Sequence, residues 1–454
     1  MTLTGLAFMC AFLAALGLAL FRHPIYGLYA YIADFYLHPP SRWWGQYLPD
    51  LRWSMLAAVV TLIAILLRAS PDALRQRWYQ TTPAKLMILF TVWFWIGGLW
   101  ALDPEQHWPA AVLEAKYLLV FYMVYRLIDT PAKVTSFLLA HVAGCFYLGI
   151  LAFGSDPSSR LDGVGGPGIN DSNTLSMHLD TGVIAAAMLV LHLKDWRRYF
   201  CILAIAFAMN AIVLTGSRGA FLALVAGGVM LYYLRPVAYK KMFYVFAVLG
   251  ILLFLRMAST QFWTRMDTVQ VAASGNEAAM DNSALSRYAM ANAQLQMAKS
   301  YPLGAGHRGS EVLSPKYLAA QFMTHAGVRS SHNVFLTILV EQGIPGVIIF
   351  VVFIVWTGKA LRKLKRETAT PNPTPEQVTR AVHAAAIGGS LVVVLIAGIF
   401  ADFSKCEVQV WMMALLAALL QPAVAQVARA AAPVAARALP AGTGYPLSSG
   451  GKAR

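Results

Sequence analysis

Apolar runs of about twenty residues recur along almost the whole chain, each long enough to cross the roughly 30 Å hydrocarbon layer of a bilayer. A backbone in hydrocarbon must satisfy its own polar groups, so runs of this kind fold as helices. Charged residues make up only 13% of the chain, against about 25% in soluble domains. The reading is an all-α, polytopic membrane protein. Eleven spans are legible, at about 51–68, 84–101, 108–127, 133–153, 174–193, 197–214, 217–234, 239–257, 331–357, 380–401 and 406–424. The first 38 residues hold two further apolar stretches around Arg22-His-Pro24. The second, 25–37, is short and rich in tyrosine, so one crossing is expected there, giving about twelve transmembrane helices. Two crossings would give thirteen and move the N-terminus to the other side. The first run lacks a basic n-region and a small-residue cleavage site, so it reads as a retained helix.

The formal charge of +15 raises the possibility of a nucleic-acid partner, but the distribution of the basic residues answers it. Alternate connections carry Arg68/Arg75/Arg77/Lys85, Arg126/Lys133, Lys194/Arg197/Arg198, Arg235/Lys240/Lys241 and Lys359/Arg362/Lys363/Lys365/Arg366. Basic connections of this kind face the cytoplasm. The charge is therefore mostly topology, and no nucleic acid is implied. Cys10, Cys145, Cys201 and Cys406 are far apart, with no Cys-x-x-Cys, so neither a disulfide framework nor a zinc site is indicated.

On this topology three connections of note are external. Residues 38–52 are aromatic and proline-rich, and 154–174 form a glycine-rich loop. Residues 258–330 form a 73-residue segment, too long for an idle connection. Within it Asn282 to Lys299 reads as an amphipathic helix, capped by Asn282 or Ser283, with Leu285, Tyr288, Ala289, Asn292 and Leu295 on one face. The expected organisation is one transmembrane domain over 1–424, containing the 258–330 loop, and a poorly ordered cytoplasmic tail over 425–454.

His332 falls where a hydrophobic run begins, after Ser330 and Ser331, which are good helix caps. Helix N-termini favour anions and disfavour an imidazolium, which keeps such a ring neutral and able to accept a proton. An interfacial histidine that bonds a headgroup is an equal alternative. Arg218, in Thr215-Gly-Ser-Arg-Gly-Ala220, also opens an external helix. Its guanidinium suits bidentate contact with pyrophosphate, or a simple anchor to lipid phosphate. Arg287 sits on the loop helix, and Arg160, Arg265, Arg308 and Arg329 make the external side richer in arginine than lysine. Asp103 and Glu105 are the only acidic residues two apart, and Asp-Pro-Glu after a helix reads first as a turn and cap. Glu341 is nine residues from His332, half a turn out of phase, so a hydrogen bond within the bundle is expected of it. There is no Walker loop, dinucleotide fingerprint or His-Glu-x-x-His, and no metal or cofactor is expected.

Taken in order, Thr215-Gly-Ser-Arg-Gly, Ser286-Arg-Tyr, Ala298-Lys-Ser-Tyr-Pro-Leu-Gly-Ala-Gly306, Ser331-His-Asn and Glu341-Gln-Gly-Ile-Pro-Gly346 resemble the O-antigen ligase family. That family sits within the broader group of O-antigen ligases, polymerases and related oligosaccharyltransferases. The resemblance implies a lipid-dependent glycosyltransferase architecture of the GT-C-like kind in a bacterial inner membrane. It implies transfer of a glycan from undecaprenyl pyrophosphate to the lipid A–core oligosaccharide on the periplasmic face. The family's functional residues fall on His332 as general base and on Arg218 and Arg287. Asn173, in Asn170-Asp-Ser-Asn-Thr174, resembles a further family asparagine. Arg160, Asn173, Arg265, Arg308 and Arg329 are the secondary candidates for pyrophosphate binding. The rivals are an O-antigen polymerase and a protein O-oligosaccharyltransferase with the same donor, and, from another class, a lipid-linked oligosaccharide flippase.

Overall fold

The structure is a computed structural model and describes residues 2–68, 75–156, 159–257, 263, 282–402 and 406–421. Among them every regular element is a helix. In chain order these are α1 (Leu3–Phe21), α2 (Ile25–Leu37), α3 (Trp53–Arg68), α4 (Thr82–Gly97), α5 (Pro104–Leu127), α6 (Pro131–Ala152), α7 (Ser172–His192) and α8 (Trp196–Thr215). Then follow α9 (Arg218–Leu234), α10 (Lys240–Met257), α11 (Asn282–Ser300), α12 (Gly309–Tyr317), α13 (Val334–Glu341), α14 (Gly343–Thr368), α15 (Pro375–Ala397) and α16 (Glu407–Leu419).

Among the described residues six helices are long and apolar enough to cross a membrane: α1, α6, α7, α8, α14 and α15. A seventh is reached if α9 and the helix after it, bent by 119°, count as one span. α3, α4 and α16 are apolar but shorter, and α5 carries Glu114 and Lys116 in its middle. Residues 1–38 form two helices, of which α1 has the length of a span and α2, at 13 residues, does not. α7 is the axis of the bundle, buried on nearly every face. α15 packs chiefly on α9 and α7. Its run of Ala384, Ala385, Ala386, Gly388 and Gly389 brings the backbones close, as small residues do between helices in lipid.

The hydrophobic run 331–357 is not one helix. It breaks at Gln342–Gly343 into α13 and α14. Gly343 has φ +64°, a conformation a side chain would strain. Upstream residues pair with the polar groups freed at the break. The amide of Ala305 donates to Val340 O (2.8 Å), that of Gly306 to Glu341 O (3.0 Å), and that of Ile344 to Pro302 O (2.9 Å). Trp93 Nε1 donates to Gln342 O at 2.7 Å. A Cβ on Gly343 would lie 2.4 Å from Pro302 O, and one on Gly304 2.5 Å from Glu341 O. The motifs Tyr301-Pro-Leu-Gly-Ala-Gly306 and Glu341-Gln-Gly-Ile-Pro-Gly346 thus interlock through their backbones.

The segment before His332 folds around α11, α12 and α13, with Met290, Ala293, Met297, Leu313, Leu318 and Val340 as its small core. The buried face of α11 is Ser286, Met290, Ala293, Gln294 and Met297, while Tyr288 and Leu295 are exposed. This corrects the expected face through Leu285, Tyr288, Ala289, Asn292 and Leu295. Two polar residues turn inward because they bond the segment that carries His332. Arg265 and the tail over 425–454 lie outside the described residues, as do the side chains of Asn282 and Ser283 on which the expected cap rests.

The sidedness of the chain has a direct test. With the four native cysteines replaced, Ala326→Cys should react with an impermeant thiol reagent on intact spheroplasts, and Arg366→Cys should not. Both positions are exposed, so the reversed pattern would overturn the orientation read from the basic loops.

Candidate functional site

His332 does not lie inside a helix. Asn333 is the cap of α13, its Oδ1 accepting from the amides of Phe335 (2.9 Å) and Leu336 (3.1 Å). Ser330 and Ser331, the expected caps, are not the cap; Ser331 instead accepts from the Asn333 amide at 3.2 Å and shapes the turn on which His332 stands. The amide of Val334 donates to Gly398 O at 2.7 Å, docking this turn on the end of α15. At Gly219, in the first turn of α9, a Cβ would lie 2.5 Å from Phe400 Cβ. The starts of α9 and α13, which follow Ser217 and His332, therefore abut one short segment, residues 398–400. Arg218 is the first residue of α9, capped by Ser217.

Asn173 ties the glycine-rich loop to α9. Its Oδ1 accepts from Arg160 Nη2 (3.1 Å) and from Ser217 Oγ (2.9 Å). Arg160 Nε donates to Thr215 O at 3.1 Å. Asp162 Oδ1 accepts from the Ser172 amide at 2.7 Å and so closes the loop onto α7. Asp171 caps α7, accepting from the amides of Asn173 (2.9 Å) and Thr174 (3.2 Å). The loop is held from behind by Arg42, whose Nη1 donates to Val164 O at 2.8 Å.

Arg329 and Arg287 also lie near His332. Arg329 Nη2 donates to Ser286 Oγ (2.7 Å) and its Nη1 to Phe322 O (3.0 Å). The His332 ring takes no hydrogen bond from the described residues, and its surroundings are charged. Burial holds its pKa down at about 4, with Arg287, Arg329 and Arg160 acting in the same direction and Asp171 against them. At neutral pH the ring is therefore uncharged, beside several guanidinium groups. Such a cluster can accept a proton and hold an anion. Asp171, absent from the sequence-based candidates, faces the same ring. Its signal was the Asp-Ser-Asn-Thr capping pattern.

The structure separates Arg308 from this group. Its Nε pairs with Glu311 at 2.7 Å, and its charged neighbours include Asp103 and Glu341. Glu341 bonds His307 Nδ1 (3.1 Å) and Ser310 Oγ (3.2 Å), a structural role as expected, but with partners in the 258–330 segment and not within the bundle. Asp103 caps α5, accepting from the Gln106 amide at 3.1 Å. Among the described residues no group of three or more His, Cys, Asp or Glu stands in a metal-binding arrangement.

Beside α13 lies a cavity of about 90 Å³ whose lining includes Val334, Ile338, Tyr117, Phe353 and Met413, with Glu114 and Gln409 among its polar groups.

No curated protein matches the chain. A family model described as O-Antigen ligase matches residues 201–351, a stretch that contains Arg218, Arg287, Arg329, His332 and the α13–α14 break. That match agrees with the resemblance drawn from the motif order over this part of the chain.

Proposed function

We propose that the protein is an O-antigen ligase that transfers a glycan from undecaprenyl pyrophosphate to the lipid A–core oligosaccharide, at the periplasmic face of a bacterial inner membrane. The family supports a ligase-like or polymerase-like glycosyltransferase acting on lipid-linked polysaccharide. The observation that carries the reaction type is His332 set beside Arg287, Arg329 and Arg160, and the experiment below decides the acceptor.

In this reading the acceptor hydroxyl attacks the anomeric carbon as the bond from that carbon to the pyrophosphate oxygen breaks. The hydroxyl proton passes to an imidazole nitrogen of His332. The departing pyrophosphate gains a negative charge, which Arg218 and Arg287 meet, with Arg160 and Arg329 nearby. A single displacement inverts the anomeric centre.

Because guanidinium groups neutralise the pyrophosphate here, activity should not depend on a divalent cation. Purified protein given the lipid-linked donor and lipid A–core in excess chelator should produce core bearing the glycan. Longer lipid-linked glycan over unmodified core would instead identify a polymerase. Activity lost in chelator and restored by a divalent cation would return attention to Asp103 and Glu105.

A further inference from the structure

α11 carries more than Arg287. Ser286 Oγ accepts from the Arg329 guanidinium at 2.7 Å, and Gln294 Oε1 accepts from Ser331 Oγ at 3.3 Å. Arg329 and Ser331 lie just before His332 in the chain, and Ser331 also receives the Asn333 amide. The two anchor points on the helix are eight residues apart, about 12 Å of rise. Gln294 is 1% exposed, and its Nε2 is buried with no hydrogen-bond partner. A buried amide N–H₂ left unpaired is costly. A leucine would fill the same space without that cost, so packing alone does not account for the glutamine. Its bond to Ser331 does.

We propose that Gln294 and Ser286 are positioning residues for glycosyl transfer. They clamp the His332 turn to the helix that bears Arg287, so that base and pyrophosphate-binding arginine keep one fixed separation. Neither residue touches the reacting atoms. This inference rests on the general-base reading of His332, and the test separates the two.

The groups facing the imidazole are Arg287 from α11, Arg329 from its own segment, Arg160 from the glycine-rich loop and Asp171 from the cap of α7. Loosening the turn lets the ring move toward water and away from these arginines, which raises its pKa toward the ordinary value near 6.5. In full-length protein in detergent, the pH profile of carbethoxylation at His332, read by mass spectrometry, reports that pKa whether or not the ring takes part in catalysis. Gln294→Leu should shift the profile upward by a pH unit or more. It should also lower turnover by roughly tenfold to a hundredfold, the scale of a small misplacement of a catalytic group, with donor KM unchanged. Ser331→Ala should act likewise, and Ser331→Thr, which keeps the hydroxyl, should restore most of both. A variant that folds and shows an unchanged His332 profile would overturn the positioning role. A shifted profile with normal turnover would leave the clamp in place and remove the general-base reading instead.

Discussion

His332→Ala is expected to lower turnover by about a hundredfold or more while leaving donor affinity nearly unchanged. The imidazole acts on the acceptor hydroxyl, so its loss should appear in single-turnover rate, not in donor binding. The pH dependence is a second signature. A lowered pKa means that the basic form persists into acid and is lost only as pH falls through that value. The acid limb of kcat/KM should therefore lie near 4, well below the ordinary histidine range. A bound pyrophosphate favours the imidazolium, so the limb of kcat should lie at higher pH than that of kcat/KM. Normal turnover in folded His332→Ala protein would make the histidine an interfacial anchor.

Arg218→Ala and Arg287→Ala should each weaken donor binding and also cut turnover, by roughly a hundredfold to a thousandfold. Both the bound donor and the departing pyrophosphate place negative charge on phosphate, so ground and transition states both lose. Lysine at either position should restore part of the activity, since it keeps the charge and loses the planar fork. The two variants should differ in one respect. Arg287 is the strongest charged influence on His332, so removing it should move the acid limb of kcat/KM upward, and removing Arg218 should move it less. Donor affinity and single-turnover rate across a pH series measure all of this. Unchanged donor affinity in both variants would sink the assignment of these arginines to the pyrophosphate.

Much of this arrangement was legible before the fold was known, and the failures have physical causes. The helices of the bundle announced themselves because hydrocarbon leaves a backbone few alternatives. Glu341 does bond His307 and Ser310, but the helical phase that separated it from His332 does not apply, because His332 stands outside α13. The break at Gln342–Gly343 was hidden because the residues on both sides are apolar, and hydropathy does not register a change of direction. Gly343 and Pro345 were the available signal. Hydrophobicity points to the wrong face of α11 because Leu285, Tyr288 and Leu295 are more hydrophobic than Ser286 and Gln294. Hydrophobicity decides burial only where no buried partner needs a hydrogen bond, and Arg329 and Ser331 need two. Among the secondary arginines, Arg160 and Arg329 face the His332 ring, while Arg308 is drawn off by Glu311. Nothing in the residue order distinguished them.

The broken helix also bears on how the chain is made. Carbonyls left open within an apolar layer are costly until a donor reaches them. Here Val340 O and Glu341 O accept from Ala305 and Gly306, and Gln342 O, which the Gly346 amide of α14 also reaches, accepts from Trp93; Ala305, Gly306 and Trp93 all precede the break in the chain. A ribosome therefore delivers every one of these donors before α13 and α14 emerge. The kink can be satisfied as it forms, without waiting for later synthesis. Moving Tyr301-Pro-Leu-Gly-Ala-Gly306 to a position after the break would keep the same contacts available in principle while reversing that order of birth.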